Sequence, residues 1–139
     1  LGADLVKPEA ELLLAYDDSL GVTAVFNKNL LVRINRELEG DFDVPAFEHR
    51  ALWNAAASRV EMHLVSRHAQ QVRITAADIT VSFTVGETIW TDACHKYRTD
   101  EIPGMARRTG YLCEAQWVDG EWPFAENLWL AAPDAIAPP

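Results

Sequence analysis

Side chains able to do chemistry are sparse in this chain, and their spacing excludes most familiar machinery. The histidines are His49, His63, His68 and His95. His63 and His68 straddle an expected strand and its turn, with no third ligand at a metal-binding spacing. Glu61 and His63 point the same way on a strand, an arrangement that is usually a solvated face. Asp17-Asp18 offers paired carboxylates for acid–base work; the plainer reading is a helix-end turn with solvated charges. Cys94 has no evident base to make it a nucleophile, and with Cys113 it forms no C-x-x-C pair. Trp53, Trp90, Trp117, Trp122 and Trp129 read as core or interface anchors rather than a stacking platform for bases. The 7 glycines form no G-x-G, which excludes a dinucleotide fingerprint or phosphate loop within the chain. The G-x-S-x-G, H-E-x-x-H and S-x-x-K patterns are also missing.

Charge and composition narrow the partners. With 12 basic and 21 acidic residues the net charge is -9, which disfavours nucleic acid and anionic membranes, since both require clustered Lys and Arg. Arg67-His68 and Arg107-Arg108 are the densest basic spots, and both are small. No apolar run approaches the roughly 18 residues of a membrane span, and no basic segment followed by an apolar core opens the chain. Two cysteines are too few to staple a secreted domain of this size, so a reducing, cytoplasmic setting is expected. The 139 residues suffice for one domain with a real core. The start, LGADLV, lacks Met and reads as the middle of a strand, so a fragment or cleaved product is expected.

The elements that must position these residues follow from periodicity. Leu1 to Val6 reads as a short buried strand. Pro8 suits a first helical position, and Glu9 to Asp17 reads as a helix with Leu12, Leu13 and Tyr16 on one side. Ser19 to Gly21 breaks it. A longer helix is expected from Val22 to Glu39, with Val22, Phe26, Leu30, Ile34 and Leu38 as its apolar face and Gly40 as its stop. A short turn or helix opens at Asp43 to Phe47. The period then changes to two: Arg50 to Ala56 and Arg59 to Arg67 read as strands, the second alternating Val60, Met62 and Leu64 against Glu61 and His63. Gln71 to Ile74 is expected to pair back on it as a hairpin. Ile79, Val81 and Phe83 mark a further strand, and Thr88 to His95 an extended one with Ile89 and Trp90 buried. Thr99 to Thr109 reads as a helix capped by Thr99, with Pro103 in its first turn and Ile102, Met105 and Ala106 facing inward. Gly110 ends it. Tyr111 to Val118 and Phe124 to Ala131 read as strands joined through Asp119-Gly120, a strong hairpin signal. The tail after Pro133 reads as loose. The class is α+β.

Several stretches taken together go further than any motif. LGADLVK, AYDDSLGVTAVFNKNLLVRINRELEGDFD, RVEMHLVSR and TDACHKY, in this order, resemble the C-terminal half of the histidine-specific, S-adenosylmethionine-dependent N-alpha-methyltransferases of ergothioneine biosynthesis. The similarity runs over roughly residues 1 to 131. It implies that residues 1–5 are a late strand of a Rossmann-type methyltransferase core and that 6–96 form an added domain holding the amino acid. Residues 97–131 would be the core's last helix and antiparallel hairpin, and 132–139 a tail. It implies S-adenosylmethionine as cofactor, held mostly by an N-terminal half lying outside this chain. That half would be the chain's partner, and the isolated chain is expected not to methylate.

Position by position, the resemblance makes Tyr16 the donor to the substrate carboxylate and Thr23 a contact through water near the substrate side chain. Met62 would pack on the imidazole. The final motif departs from the family's Thr-Glu-Asn-Ser, whose glutamate and serine bond the imidazole nitrogens; here Thr91-Asp92-Ala93-Cys94 stands instead. Asp92 keeps the charge on a shorter stem, and Cys94 puts a weak thiol partner where the family has a hydroxyl. That change leaves another amino acid open as substrate, such as a tryptophan derivative. A non-catalytic binding or assembly module is the third reading.

Overall fold

A computed structural model describes residues 1–132; the tail expected after Pro133 lies outside the described residues. In chain order the elements are β1 (Gly2–Asp4), α1 (Glu9–Tyr16), α2 (Val22–Leu38), β2 (Phe47–Asn54), β3 (Arg59–Ser66) and β4 (Gln70–Ile74). They continue with β5 (Ile79–Phe83), β6 (Thr88–His95), α3 (Ile102–Arg108), β7 (Tyr111–Val118) and β8 (Phe124–Ala131). Single 3₁₀ turns sit at Val44–Ala46 and Thr75–Ala77. The α+β class holds, and no described helix is long and apolar enough to cross a membrane. The chain divides into two compact units. One comprises Leu1–Pro8, Ala55–Arg59 and the described residues from His95 on; the other comprises Glu9–Asn54 and Val60–Cys94.

In the first unit the strand order is β1-β8-β7, antiparallel throughout. The opening strand is thus paired to one more than a hundred residues later, Ala3 opposite Ala125. Ala3, Leu5, Ile102 and Ala125 form the core. The β7–β8 turn forms as its Asp-Gly suggests. The Asp119 carboxylate accepts the backbone N–H groups of Glu121 at 2.8 Å and Trp122 at 2.7 Å. Trp122 and then Glu121, as donors to the charged form, hold that carboxyl below its ordinary range. Beside β1, the fully buried side chain of Lys96 meets Asp4 at 2.6 Å, and Lys7 meets it at 2.7 Å. Burial pushes the Asp4 carboxyl up, but the hydrogen bonds and charges of Lys7 and Lys96 outweigh it and leave it lowered. Helix α3 begins at Ile102 behind Glu101 rather than at Thr99. The Thr99 carbonyl accepts instead from the Gln116 amide.

In the second unit β2, β3 and β6 form one sheet in the order β2-β3-β6, and β4 and β5 form a separate antiparallel pair. The expected hairpin of β4 on β3 is therefore corrected: β4 pairs forward with β5, Val72 opposite Val81. The Thr75–Ala77 turn, closed by Asp78 at φ 51°, reverses the chain there. The core is Leu31, Phe42, Phe47, Leu64, Val72 and Phe83, with Phe47 edge-on to Phe83 at 5.3 Å and to Phe42 at 5.7 Å. Strand β2 starts at Phe47, earlier than expected, and alternates cleanly: Phe47, His49 and Ala51 in, Glu48 and Arg50 out.

Helix α2 has the expected span but a different inner face. Its buried residues are Asn27 and Leu31, whereas Phe26 is 74% exposed and Val22, Leu30 and Leu38 also face out. A strict i+4 series advances about 40° per step on a helix of 3.6 residues per turn. Val22, Phe26, Leu30, Ile34 and Leu38 therefore spiral around the cylinder and cannot share one narrow stripe. The helix ends on Glu39 in the left-handed conformation at φ 52°, so Gly40 is not the stop. Gly40 is needed for close approach: a Cβ there would lie 3.0 Å from Asn35 Oδ1. That oxygen accepts Phe42 N–H at 2.9 Å while Asn35 Nδ2 donates to Phe42 O at 2.8 Å. Pro8 precedes α1 instead of starting it. Trp90, expected inside, is more than half exposed, as are Trp117 and Trp122, so these three are not core anchors.

Candidate functional site

The segment between α1 and α2 is organised by one carboxylate. Asp18 accepts the first free N–H groups of α2, Thr23 at 2.9 Å and Val22 at 3.0 Å, donors that a helix start otherwise leaves unpaired. Thr23 first, then Val22, holds the Asp18 carboxyl down to about 2. Asp17-Asp18 is therefore a helix-capping turn and not a pair of catalytic carboxylates. Gly21 precedes α2 at φ 72°, a conformation glycine takes without steric cost.

One cavity of about 240 Å³ lies within the second unit, walled by α2 on one side and by β3 and β6 on the other. Phe26, Asn27, Leu30 and Arg33 line it from the helix, Met62 from β3, and Thr91 and Asp92 from β6. It is smaller than the roughly 300–1,000 Å³ of drug-sized sites, which suits a small molecule. Met62 is buried, and its carbonyl accepts the Thr91 hydroxyl at 2.8 Å, tying the two strands together at the cavity floor. The Asp92 carboxylate is exposed and accepts the neighbouring Ala93 N–H at 2.7 Å, while the Asp92 carbonyl accepts the Trp90 indole N–H at 2.9 Å.

Behind the helix wall is a buried polar cluster. Asn27 Nδ2 lies 2.9 Å from His49 Nδ1 and 3.4 Å from the carbonyl of His63, and His49 Nε2 lies 2.8 Å from the carbonyl of Tyr16. Glu61 and His63 do point the same way, at 3.4 Å, but their side chains are largely covered rather than solvated. The His63 ring stacks against Trp90 at 6.4 Å, and Glu61 also accepts from Asn54 at 3.0 Å. Among the described residues no cluster of three or more His, Cys, Asp or Glu could hold a metal ion.

The chain matches the family described as S-adenosylmethionine-dependent, histidine-specific methyltransferase over residues 1–131. It belongs to that family. A histidine N-alpha-methyltransferase of Mycolicibacterium smegmatis is 44% identical over 128 residues, 92% of this chain and 40% of that protein. One of Mycobacterium tuberculosis is 46% identical over 128 residues, with the same 92% and 40% shares. The chain thus spans about 40% of the length of the curated relatives it matches.

Of the positions the methyltransferase resemblance singles out, Met62 and Asp92 line the same cavity, whereas Tyr16, Thr23 and Cys94 are not among its walls. Tyr16 is half-buried at the end of α1, packed against the cluster of Leu12, Ala51 and Val60. Thr23 is half-buried on α2, one turn before Asn27, and Cys94 is half-buried two residues beyond Asp92 on β6. Sequence reasoning named Phe26, Asn27 and Thr91 without placing them at a cavity, and named His49 without placing it beside Asn27. The T-x-x-x-N spacing of Thr23 and Asn27 was a usable signal, since it puts two polar groups one above the other on a helix.

Proposed function

We propose that this chain supplies the amino-acid-binding part of an S-adenosylmethionine-dependent methyltransferase that acts on the α-amine of histidine, in ergothioneine biosynthesis. The observation that carries the reading is the meeting of Met62 and Asp92 at one small cavity, in a chain belonging to a histidine-specific methyltransferase family. Met62 offers a polarisable sulfur to an aromatic ring. Asp92 offers an acceptor to an imidazole N–H, with Cys94 a weaker partner further along the strand. Tyr16 donates its phenol to the substrate carboxylate, and Thr23 acts through water. Positioning of the neutral amine is the catalytic contribution of these residues, and none is a nucleophile.

The donor itself does not fit the residues present. The left-handed glycines Gly21, Gly86 and Gly110 each stand alone, and no described strand opens through a glycine-rich turn into a helix. The cofactor site is assigned to the part of the whole protein outside this chain. Two features favour such a partner. The order β1-β8-β7 suits the closing edge of a Rossmann-type core built from residues 1–5 and 97–131. The outer face of α2 also leaves Val22, Val25 and Phe26 more than 60% exposed, more apolar surface than a solvent-facing helix ordinarily shows.

Asp92 and Cys94 favour a second reading, the same reaction on another amino acid. Calorimetry of the whole protein with a panel of amino acids, in the presence of the demethylated cofactor, decides between them. Histidine binding is expected there, and trimethylation of histidine when the methylated cofactor replaces the demethylated one; binding of a different amino acid alone selects the second reading. No amino-acid binding at all leaves the non-catalytic module.

A further inference from the structure

We infer that His49 is a positioning residue of the acceptor site, a neutral imidazole that locks the end of α1 to the inner face of α2. The inference rests on the acceptor-site reading above. His49 is 8% exposed and Asn27 6%, so both are withdrawn from solvent, and every polar atom placed there needs a partner. The Tyr16 carbonyl is one of the last of α1, where capping partners from outside a helix are ordinarily needed. A carbonyl only accepts, so the 2.8 Å contact requires His49 Nε2 to carry the proton. Asn27 Nδ2 approaches both His49 Nδ1, at 2.9 Å, and the His63 carbonyl, at 3.4 Å. The second of these is again acceptor-only, so it orients the amide with its NH₂ toward both groups. His49 Nδ1 must then accept, and the ring is the neutral Nε2–H tautomer.

The consequence is geometric. Tyr16 ends α1, and Thr23 lies one turn before Asn27 on α2. The Asp17–Gly21 link joins the two helices in sequence, and within it Asp18 accepts the first N–H groups of α2. His49, projecting inward from β2 between Phe47 and Ala51, supplies the cross-brace: one ring nitrogen holds the root of Tyr16, the other holds the helix that carries Thr23 and lines the cavity through Asn27. A phenylalanine would fill the same space and brace neither. No atom of His49 lines the cavity, so it acts through its neighbours.

The test compares His49→Phe with His49→Gln in the whole protein. Glutamine keeps one donor and one acceptor at the end of its side chain; phenylalanine keeps neither. His49→Phe is expected to raise the acceptor KM about tenfold, the loss that follows from stranding buried partners, with kcat changed less than about threefold and the KM for the methyl donor unmoved. His49→Gln is expected to recover most of the acceptor KM. Asn27→Leu should reproduce the His49→Phe effect and combine with it less than additively. An acceptor KM indifferent to His49→Phe, or equal losses in the Phe and Gln variants, overturns the inference. Where His49→Phe does not fold, the ¹⁵N shifts of the imidazole in the unmodified protein decide. The Nε2–H neutral tautomer at pH 7 supports the brace, and an Nδ1–H tautomer or an imidazolium overturns it. Failure of the unmodified protein to bind any amino acid overturns the acceptor-site reading instead, a result distinct from bound substrate with an indifferent His49→Phe.

Discussion

Leu31→Ala and Phe26→Ala probe opposite sides of α2. Leu31 is 1% exposed and packed among Phe42, Phe47, Leu64 and Phe83. Truncating it removes the transfer energy of the lost atoms and leaves a cavity in a rigid aromatic cluster, for a loss of about 2–5 kcal/mol. Phe26 is 74% exposed, so only about a quarter of a phenylalanine's roughly 200 Å² has left water. At about 25 cal/mol per Å² that is worth about 1.3 kcal/mol, and the better helix propensity of alanine returns about 0.5. The net loss is below about 1 kcal/mol. In a unit of about 80 residues, each kcal/mol moves Tm by about 4–8 °C. Leu31→Ala should therefore lower the melting temperature by about 8–40 °C, and Phe26→Ala by a few degrees at most. Urea and thermal unfolding of the 139-residue chain, followed by far-ultraviolet circular dichroism, reads both. A Phe26→Ala loss equal to that of Leu31→Ala would refute the assignment of the helix faces. A greater Phe26→Ala loss in the whole protein than in this chain would mark coverage of that face by the rest of the protein.

Asp18→Asn should change the acid limb of the stability curve. The folded carboxyl titrates at about 2, below its ordinary 3.8. Its stabilising contribution is therefore complete above about pH 4 and lost as pH falls through 2. The asparagine keeps an acceptor for the helix start but has no charge to titrate, so Tm measured from pH 6 to pH 2 should fall less steeply; an unchanged slope counts against the capping role. The paired change Asp92→Glu with Cys94→Ser restores the longer carboxylate and the hydroxyl that the family places against an imidazole. It should tighten histidine binding by about fivefold, the worth of about 1 kcal/mol for one net hydrogen bond. Unaltered affinity by calorimetry would remove both residues from the side-chain pocket.

Much of the architecture was legible because it is set locally. The β7–β8 hairpin carries its own turn chemistry in Asp119-Gly120, and β3 its strict alternation, and both form where expected. The face of α2 was not legible, because a polar residue occupies its inner stripe. Asn27 is tolerated there only because His49 and the His63 carbonyl, more than 20 residues away in sequence, satisfy its amide. The β4 pairing was missed for a related reason. An apolar alternating segment pairs equally well with either neighbour by pattern, and the left-handed turn at Asp78 decided for β5. Of the cavity's walls, Met62 and Asp92 were singled out by the family motifs, whereas His49 has no local signature at all; on β2 it is one more inward position.

The burial of the polar groups itself separates two kinds of role around the cavity. Asn27 and His49 are covered and bonded to one another and to fixed carbonyls. Exchanging those partners for a ligand would cost what they already gain, so they hold geometry and do not bind. Asp92 faces solvent with its carboxylate satisfied by little more than the N–H of the next residue, so it retains acceptor capacity for an incoming donor. Phe26 and Leu30 flank the same cavity while remaining exposed. A bound ring covered by a further segment would bury these apolar groups, and the local dielectric would fall at the Asp92 carboxylate, the group proposed to meet the substrate. On the proposed reading, specificity at Asp92 then depends on what covers the α2 face. Histidine affinity should accordingly respond to Phe26→Ala in the whole protein, although Phe26 supplies no hydrogen bond.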